Sequence, residues 1–339
     1  MLIAKGPRFS ERGKQPLKIM TGCLVKKIEH KCGRAVALET NNGNFNLGNA
    51  KLILAMGTLP PTTLMLNSFS SSSFKQLTGI GTRLTAHFRS SVVARVPVLD
   101  NVDTTNMYCN LIQKIPGNVQ MAAVHIAGVN PESKHQFHIQ LSAIIDKTPV
   151  EKTYDTMRHL PDLVAAPTLE QLSTSKAKPH IVFVCASLGQ LDHANKDNWY
   201  RLNDHEDITS NATLQVVAND IDNQLWDTMD DSTFAVLEKL DPRDNPRQLE
   251  YWHPDSRSWK KERPPRAQIR ESGLVHGAST MWIGDDESSP VGLDYQFRGV
   301  DNVYLTGGAL WPTGASWNPT CVMTALAMDL ADKLNNKGT

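Results

Sequence analysis

The sharpest alternation in the chain lies in QFHIQLSAI, where Phe137, Ile139 and Leu141 alternate with His138, Gln140 and Ser142. A period of two predicts a strand with one apolar and one polar face. VVARVPVL, AAVHIAG, HIVFVCASLG and ATLQVVA are also strand-like, and polar connections separate them between residues 88 and 265. Together they predict a largely antiparallel sheet, a kind that can leave one face open to a cavity. DDSTFAVLEKL (230–240) predicts a short helix capped by Asp or Ser, and LWDTMDD before it reads as solvated or loop-bound. TNMYCN reads the same way, while STSKAKP (173–179) and ERPPRAQ (262–268) read as linkers.

The two ends of the chain have a different rhythm. KIMTGCLVKKI (18–28) and RAVALET (34–40) predict a strand pair with Gly33 in the turn. The run Leu52–Met56 predicts a buried strand, followed through the Gly57–Pro61 turn by a helix carrying Leu64, Met65 and Leu66. The serines at 68–73 form a loop. Residues 274–339 return to this α/β character: LVHGAST, a polar loop, DNVYLTGG and a terminal helix. Asn318 is placed to cap that helix, with Pro319 in its first position. Val322, Leu326, Leu330 and Leu334 form its apolar stripe, widened by Met323 and Ala327. The pattern predicts one domain built from 1–87 and 266–339, with 88–265 inserted as a second.

Charge narrows the partners. With 35 basic and 35 acidic residues, the net charge is zero and gives no reason to expect nucleic acid or an acidic membrane. No apolar run is long enough for a membrane span, and MLIAKGPRFSERGKQ is not a secretory signal. The five cysteines are unpatterned, which points to a reducing compartment, with the cytoplasm favoured. Asn211-Ala-Thr213 fits a glycosylation sequon of the kind that arises by chance. No metal is expected: there is no zinc signature, and His135 and His138 would point to opposite faces of a strand. There is no P-loop and no Ser-His-Asp spacing either.

The chemistry concentrates near the C-terminus. Gly307 and Gly308 follow an apolar strand, where glycine permits close backbone approach, and the helix start beyond Asn318 projects free N–H groups. A strand, a glycine turn and a helix N-terminus make a cradle for a large anionic ligand. Structural roles for the same residues, a tight turn and a helix cap, remain open.

Three stretches in this order resemble the glucose–methanol–choline (GMC) oxidoreductases, FAD-dependent enzymes that oxidise alcohols and sugars. They are AKLILAMGTLPPTTLMLNS (50–68), LVHGASTMWIG (274–284) and NVYLTGGALWPTGASWNPTCVMTALAMDLADKL (302–334). The resemblance implies α/β plus an antiparallel sheet in a two-domain architecture. It implies FAD as cofactor and a catalytic pair at His276 and Asn318. His276 is the expected general base, since a neutral imidazole accepts a proton near neutral pH. Asn318 is expected to donate to the substrate oxygen and hold the alcohol carbon over flavin N5, a role that competes with capping. Val25, Gly57, Gly307, Gly308, Ala309, Asn318, Pro319 and Thr320 are expected to meet the cofactor, the N–H groups at Thr320 stabilising charge on the reduced flavin. The Gly-Gly and His/Asn versions of the motif look most like pyranose oxidase and its relatives acting on sugars or glycosides. Trp311 and Trp317 flank the motif, as stacking platforms for a sugar or as core plugs.

The family's GxGxxG dinucleotide fingerprint is missing from the sequence. The chain is therefore expected to lack the N-terminal βαβ unit and to work as a heteromer with an N-terminal FAD-binding polypeptide. It would be a subunit, a processing product or a truncated product. A non-catalytic subunit or interaction module that keeps the fold is the alternative.

Overall fold

A computed structural model describes residues 18–98, 119–146, 166–173, 180–208, 210–241 and 248–336. TNMYCN and most of STSKAKP lie outside them.

The first sheet is a meander of β1 (Val25–Lys31), β2 (Arg34–Thr40) and β3 (Gly43–Asn46). Cys32 and Gly33 turn the first hairpin with φ of 49° and 78°, the left-handed pair a tight two-residue turn demands. β1 starts at Val25, well after Lys18, and β3 comes from the polar stretch, which carried no hydrophobic alternation. Next come β4 (Leu52–Leu54) and α1 (Leu59–Ser68), whose first turn holds the prolines where a missing N–H costs nothing.

The large sheet is antiparallel. It comprises β5 (Thr85–Pro97), β6 (Val119–Val129), β7 (Gln136–Asp146) and β8 (His180–Gln190), in the order β5–β8–β7–β6. β9 (Trp199–Leu202) and β10 (Ala212–Gln215) form a separate hairpin. α2 (Asp220–Glu238) is far longer than DDSTFAVLEKL alone predicts. A reciprocal cap between Asn219 and Asp222 starts it, so LWDTMDD is helical and the cap is Asn, not Asp or Ser. β11 (Glu250–His253) pairs with β12 (Ser258–Lys260) and with the far half of β5, and β13 (Arg270–Ala278) pairs with its near half. β14 (Val303–Leu305) returns to pair in parallel with β4, and α3 (Thr320–Asn336) closes the order.

Two main apolar cores result. One gathers Ile28, Met65, Phe297, Val303, Leu305, Trp311 and Leu330 from the first and last parts of the chain. The other lies between α2 and the large sheet, where Leu225, Met229 and Leu237 meet Phe88, Phe137 and Ile139. Full burial of each such side chain stabilises by about 1.5–3 kcal/mol. Asn302 ties the meander to the parallel pair: its Oδ1 accepts from Ala35 N–H at 2.9 Å and its Nδ2 donates to the Ala35 and Ala50 carbonyls.

Three expectations are corrected. The Leu52–Met56 run is not a fully buried strand: β4 spans only Leu52–Leu54, its Ile53 side is uncovered, and Met56 beyond it is exposed as well. In α3 the inward stripe is Met323, Leu326, Leu330 and Leu334, and Val322 is exposed. ERPPRAQ is not a loose linker, since it runs into a helical turn at Arg266–Ile269 whose Arg266 pairs with Asp227 and Asp231. The sequon residue Asn211 is buried and hydrogen-bonded to Asn67, which removes it as a glycan acceptor. No helix among the described residues is long and apolar enough to cross a membrane.

Candidate active site

β4 and β14 run side by side, Leu54 opposite Leu305, and both end in glycine turns. Gly57 has φ +81° and Gly307 +100°, values that suit glycine. A Cβ on Gly307 would lie 3.1 Å from the Gly57 carbonyl oxygen. One on Gly308 would lie 2.4 Å from Thr58 Oγ1 and 3.0 Å from the Gly277 oxygen. The Gly-Gly pair is thus required by the packing of three chain segments. Gly57 and Gly277 behave differently, since the space a Cβ would take there is open.

Thr58 Oγ1 donates to the Gly277 carbonyl at 2.5 Å, and the Ser279 N–H donates to the Gly308 carbonyl at 3.2 Å. Ala309 is fully buried, its N–H reaching the Gly57 oxygen and its carbonyl accepting from Met281. The strand bearing His276 is therefore stitched to both glycine turns just beyond it, at Gly277 to the first and at Ser279 to the second. Two buried hydroxyls beside these turns, Thr306 Oγ1 and Ser279 Oγ, have no partner. Ligands of open parallel sheets bind outside the carboxyl ends of the strands. The open glycine faces and unpartnered hydroxyls at that end fit the approach of a dinucleotide.

The polar face of the large sheet meets this crevice. His87 and Arg89 on β5, His125 on β6, and His138 and Gln140 on β7 lie there, opposite the face that packs on α2. β13 reaches β5 through an irregular ladder. Glu271 pairs with Arg89, Val275 with His87 and Ala278 with Thr85, with a register shift in each interval. Bulges of this kind re-aim side chains. His276 sits within the second shifted interval, in the left-handed region at φ +58°.

Its hydrogen bonds settle its tautomer. His87 Nε2 lies 2.8 Å from the Gly314 carbonyl, which only accepts, so that nitrogen carries the proton. Burial holds His87 neutral, its pKa lowered to about 4, so its Nδ1 is an acceptor. The contact from His276 Nδ1 at 3.1 Å must then be a donated N–H. His276 Nε2 is left as the basic nitrogen. Burial, aided by the Arg89 charge, lowers the His276 pKa and keeps the ring neutral.

The loop before α3 lies over this face. The Ser316 carbonyl accepts from His138 Nδ1, and Gln140 Nε2 donates to His138 Nε2 at 2.6 Å. Burial brings the pKa of His138 to about 4 as well. The Trp317 ring stacks on His138 at 4.7 Å and is 44% exposed, whereas Trp311 is a core residue. Trp311 thus takes the core-plug role, and Trp317 is the one of the two with an open face.

Asn318 is exposed and does not cap. The Pro319 carbonyl accepts the first helical bond, from the Met323 N–H, so Pro319 is the boundary residue and Thr320 the first helical one. This removes the competition between capping and chemistry at Asn318. Val25 opens β1, and its side chain packs on the first core. His87, His125 and Gln140 were not singled out from the sequence. The alternation of Thr85, His87 and Arg89 with Ala86 and Phe88 is the signal that marks β5 as part of the polar face.

Residues 199–327, spanning His276 and Asn318, match the C-terminal family model of the GMC oxidoreductases. No curated protein matches the chain. An FAD-dependent oxidoreductase from Chaetomium thermophilum superposes with a TM-score of 0.55 at 12% identity, over 94% of this chain and 62% of that one. The pyridoxine 4-oxidase from Mesorbium loti gives 0.52 at 14% identity, over 96% and 59%. This chain thus spans about three fifths of either structure, and at such identities the likeness establishes fold. Residues 199–327 thus resemble the C-terminal domain of the GMC oxidoreductases, and the chain shares its fold with these two solved structures.

Proposed function

We propose that the protein takes part in FAD-dependent oxidation of a small-molecule alcohol, with a sugar or glycoside as the substrate class its Gly-Gly and His/Asn motif favours. One observation carries this reading: the strand bearing a neutral, tautomer-fixed His276 is hydrogen-bonded to both glycine turns of the parallel strand pair, at Gly277 to the first and at Ser279 to the second. FAD, when bound, supplies the hydride acceptor. His276 Nε2 takes the hydroxyl proton, and such a base contributes on the order of 10²–10⁴ in rate. The Asn318 amide, free of capping, donates to the substrate oxygen, and the exposed Trp317 face offers a stacking surface. The backbone at Gly57, Gly307, Gly308 and Ala309 and the start of α3 at Pro319 and Thr320 hold the cofactor, with Val25 near its adenine end. Ile53 on β4 and Met56 just beyond it remain exposed beside a strand type ordinarily covered on both faces. In this reading the dinucleotide-binding unit, on other polypeptide, covers them.

The test is the visible spectrum of the protein purified with any co-purifying chain retained. Flavin absorption that bleaches anaerobically on adding an alcohol or sugar supports the proposal. His276→Gln should keep the flavin and lose the bleaching. A colourless, well-folded and partner-free protein sinks the catalytic reading and leaves an interaction module.

A further inference from the structure

Outside the histidine group around His276, a second cluster joins the β6–β7 turn to the segment after β8. His135, Asp192 and His193 each place one ligand atom within 4.8 Å of the other two. His135 is not on a strand at all, so its sequence neighbour His138 is no guide to its partners: His135 Nε2 faces Asp192 Oδ1 at 3.5 Å. Three features distinguish this group from an ordinary surface cluster. Asp192 is 5% exposed. Both histidines have a buried Nδ1 without a hydrogen-bond partner. Behind Asp192 stands a second carboxylate, Asp222, fully buried at the start of α2 and accepting the Asp192 N–H at 2.6 Å.

The charge balance is uneven. Two buried carboxylates share the site, and no Lys or Arg pairs with either among the described residues. Asp192 is held by neutral donors, the Ala194 N–H on Oδ1 and Asn219 Nδ2 on Oδ2, both at 2.9 Å. Buried carboxylates of this kind are normally paired or coordinate a cation.

We infer that His135, Asp192 and His193 form a binding site for one divalent transition-metal ion, of which Zn²⁺ best suits two imidazoles and a carboxylate. Such a donor set is too nitrogen-rich for Ca²⁺ or Mg²⁺, and the fourth position of a tetrahedral ion is left to water. The ion neutralises the acidic side of the cluster and gives each ring a partner. It also clamps the β6–β7 turn to the chain leading from β8 to α2.

The full chain, stripped with chelator, is titrated with Co²⁺ as a spectroscopic stand-in and with Zn²⁺. One equivalent of Co²⁺ should bind with visible ligand-field absorption, Zn²⁺ should displace it, and Zn²⁺ should raise the melting temperature. His135→Ala/His193→Ala should abolish the uptake, and His205→Ala, at an exposed loop histidine, should leave it intact. Circular dichroism of the metal-free double variant separates loss of the site from loss of the fold. If that variant unfolds, His135→Gln replaces it, and weakened uptake is then expected. The inference is overturned if neither metal binds the folded parent, or if the folded variants bind as the parent does.

Discussion

At the scale of single residues, His87 decides what His276 can do. In the proposed chemistry it touches the reacting space only through another imidazole, which makes it a positioning residue. His87→Leu removes the acceptor that keeps the proton on His276 Nδ1. The expected cost is on the order of tenfold in kcat/KM, a part of what a general base supplies, with a displaced pH profile for that parameter. His87→Gln can accept from His276 and donate toward Gly314 through one amide, and it should recover most of the loss. A merely structural role would move stability in both variants and leave the pH profile in place. The pair proposed here, His276 and Asn318, was suggested by the HGAST and SWNPT surroundings alone. His87 was not, since nothing in its neighbourhood says which imidazole lies across the sheet. The sequence also could not reveal why Gly308 is glycine, because the obstructing atoms belong to Thr58 and Gly277.

At the scale of elements, α2 is held to the sheet by an ionic contact as well as by its apolar stripe. Asp230 is fully buried, accepts from Ser90 Oγ at 2.6 Å and from Arg270 Nε at 2.7 Å, and has its pKa raised by burial. Arg270→Met leaves that carboxyl without its closest cation. Removing one partner of a buried pair costs about 3–5 kcal/mol, and the lower end applies here because Arg270 is partly exposed and Arg266 stays 3.9 Å away. A urea midpoint should fall accordingly, and Asp230→Asn combined with Arg270→Met should regain much of it. The helix was under-read because its first half, DIDNQLWDTM, is dominated by polar residues. Its cap rather than its hydrophobic period marks the start. The strands of the large sheet were easier, since alternation survives even where both faces are buried.

For the whole molecule, acid is the weak side. His87 and His138 titrate near 4 in the folded chain, and His276 is also lowered. An unfolded histidine titrates near 6.5. Between those values the unfolded chain binds more protons, so stability rises with pH and is lost as pH falls through the window. Each histidine contributes at most about 1.4 kcal/mol per pH unit. Asp222 and Asp230, raised by burial, act in the opposite sense toward the acid end, so the loss should be steepest nearer pH 6. Thermal melts across that range check the sign. The division of the core into two parts was visible as a change of rhythm along the chain. The pairing of β13 with β5, which brings the last part of the chain onto the middle sheet, was not: LVHGAST does not say which strand it will lie against.

The uneven ladder between β13 and β5 has a kinetic consequence. Over Glu271–Ala278, β13 uses more residues than β5 does opposite it, so several of its amides lack a ladder partner, and Ser272, Gly273 and Leu274 are exposed. Such segments open locally at far lower free energy than the sheet around them. In deuterated buffer the amides of 272–277 should label early, while those of 87–90, between β13 and β8, stay protonated until the sheet itself unfolds. The imidazole proposed as the base thus rides on a strand able to breathe, above a partner strand that does not. A ligand seated in the crevice would slow labelling of the first set and leave the second unchanged.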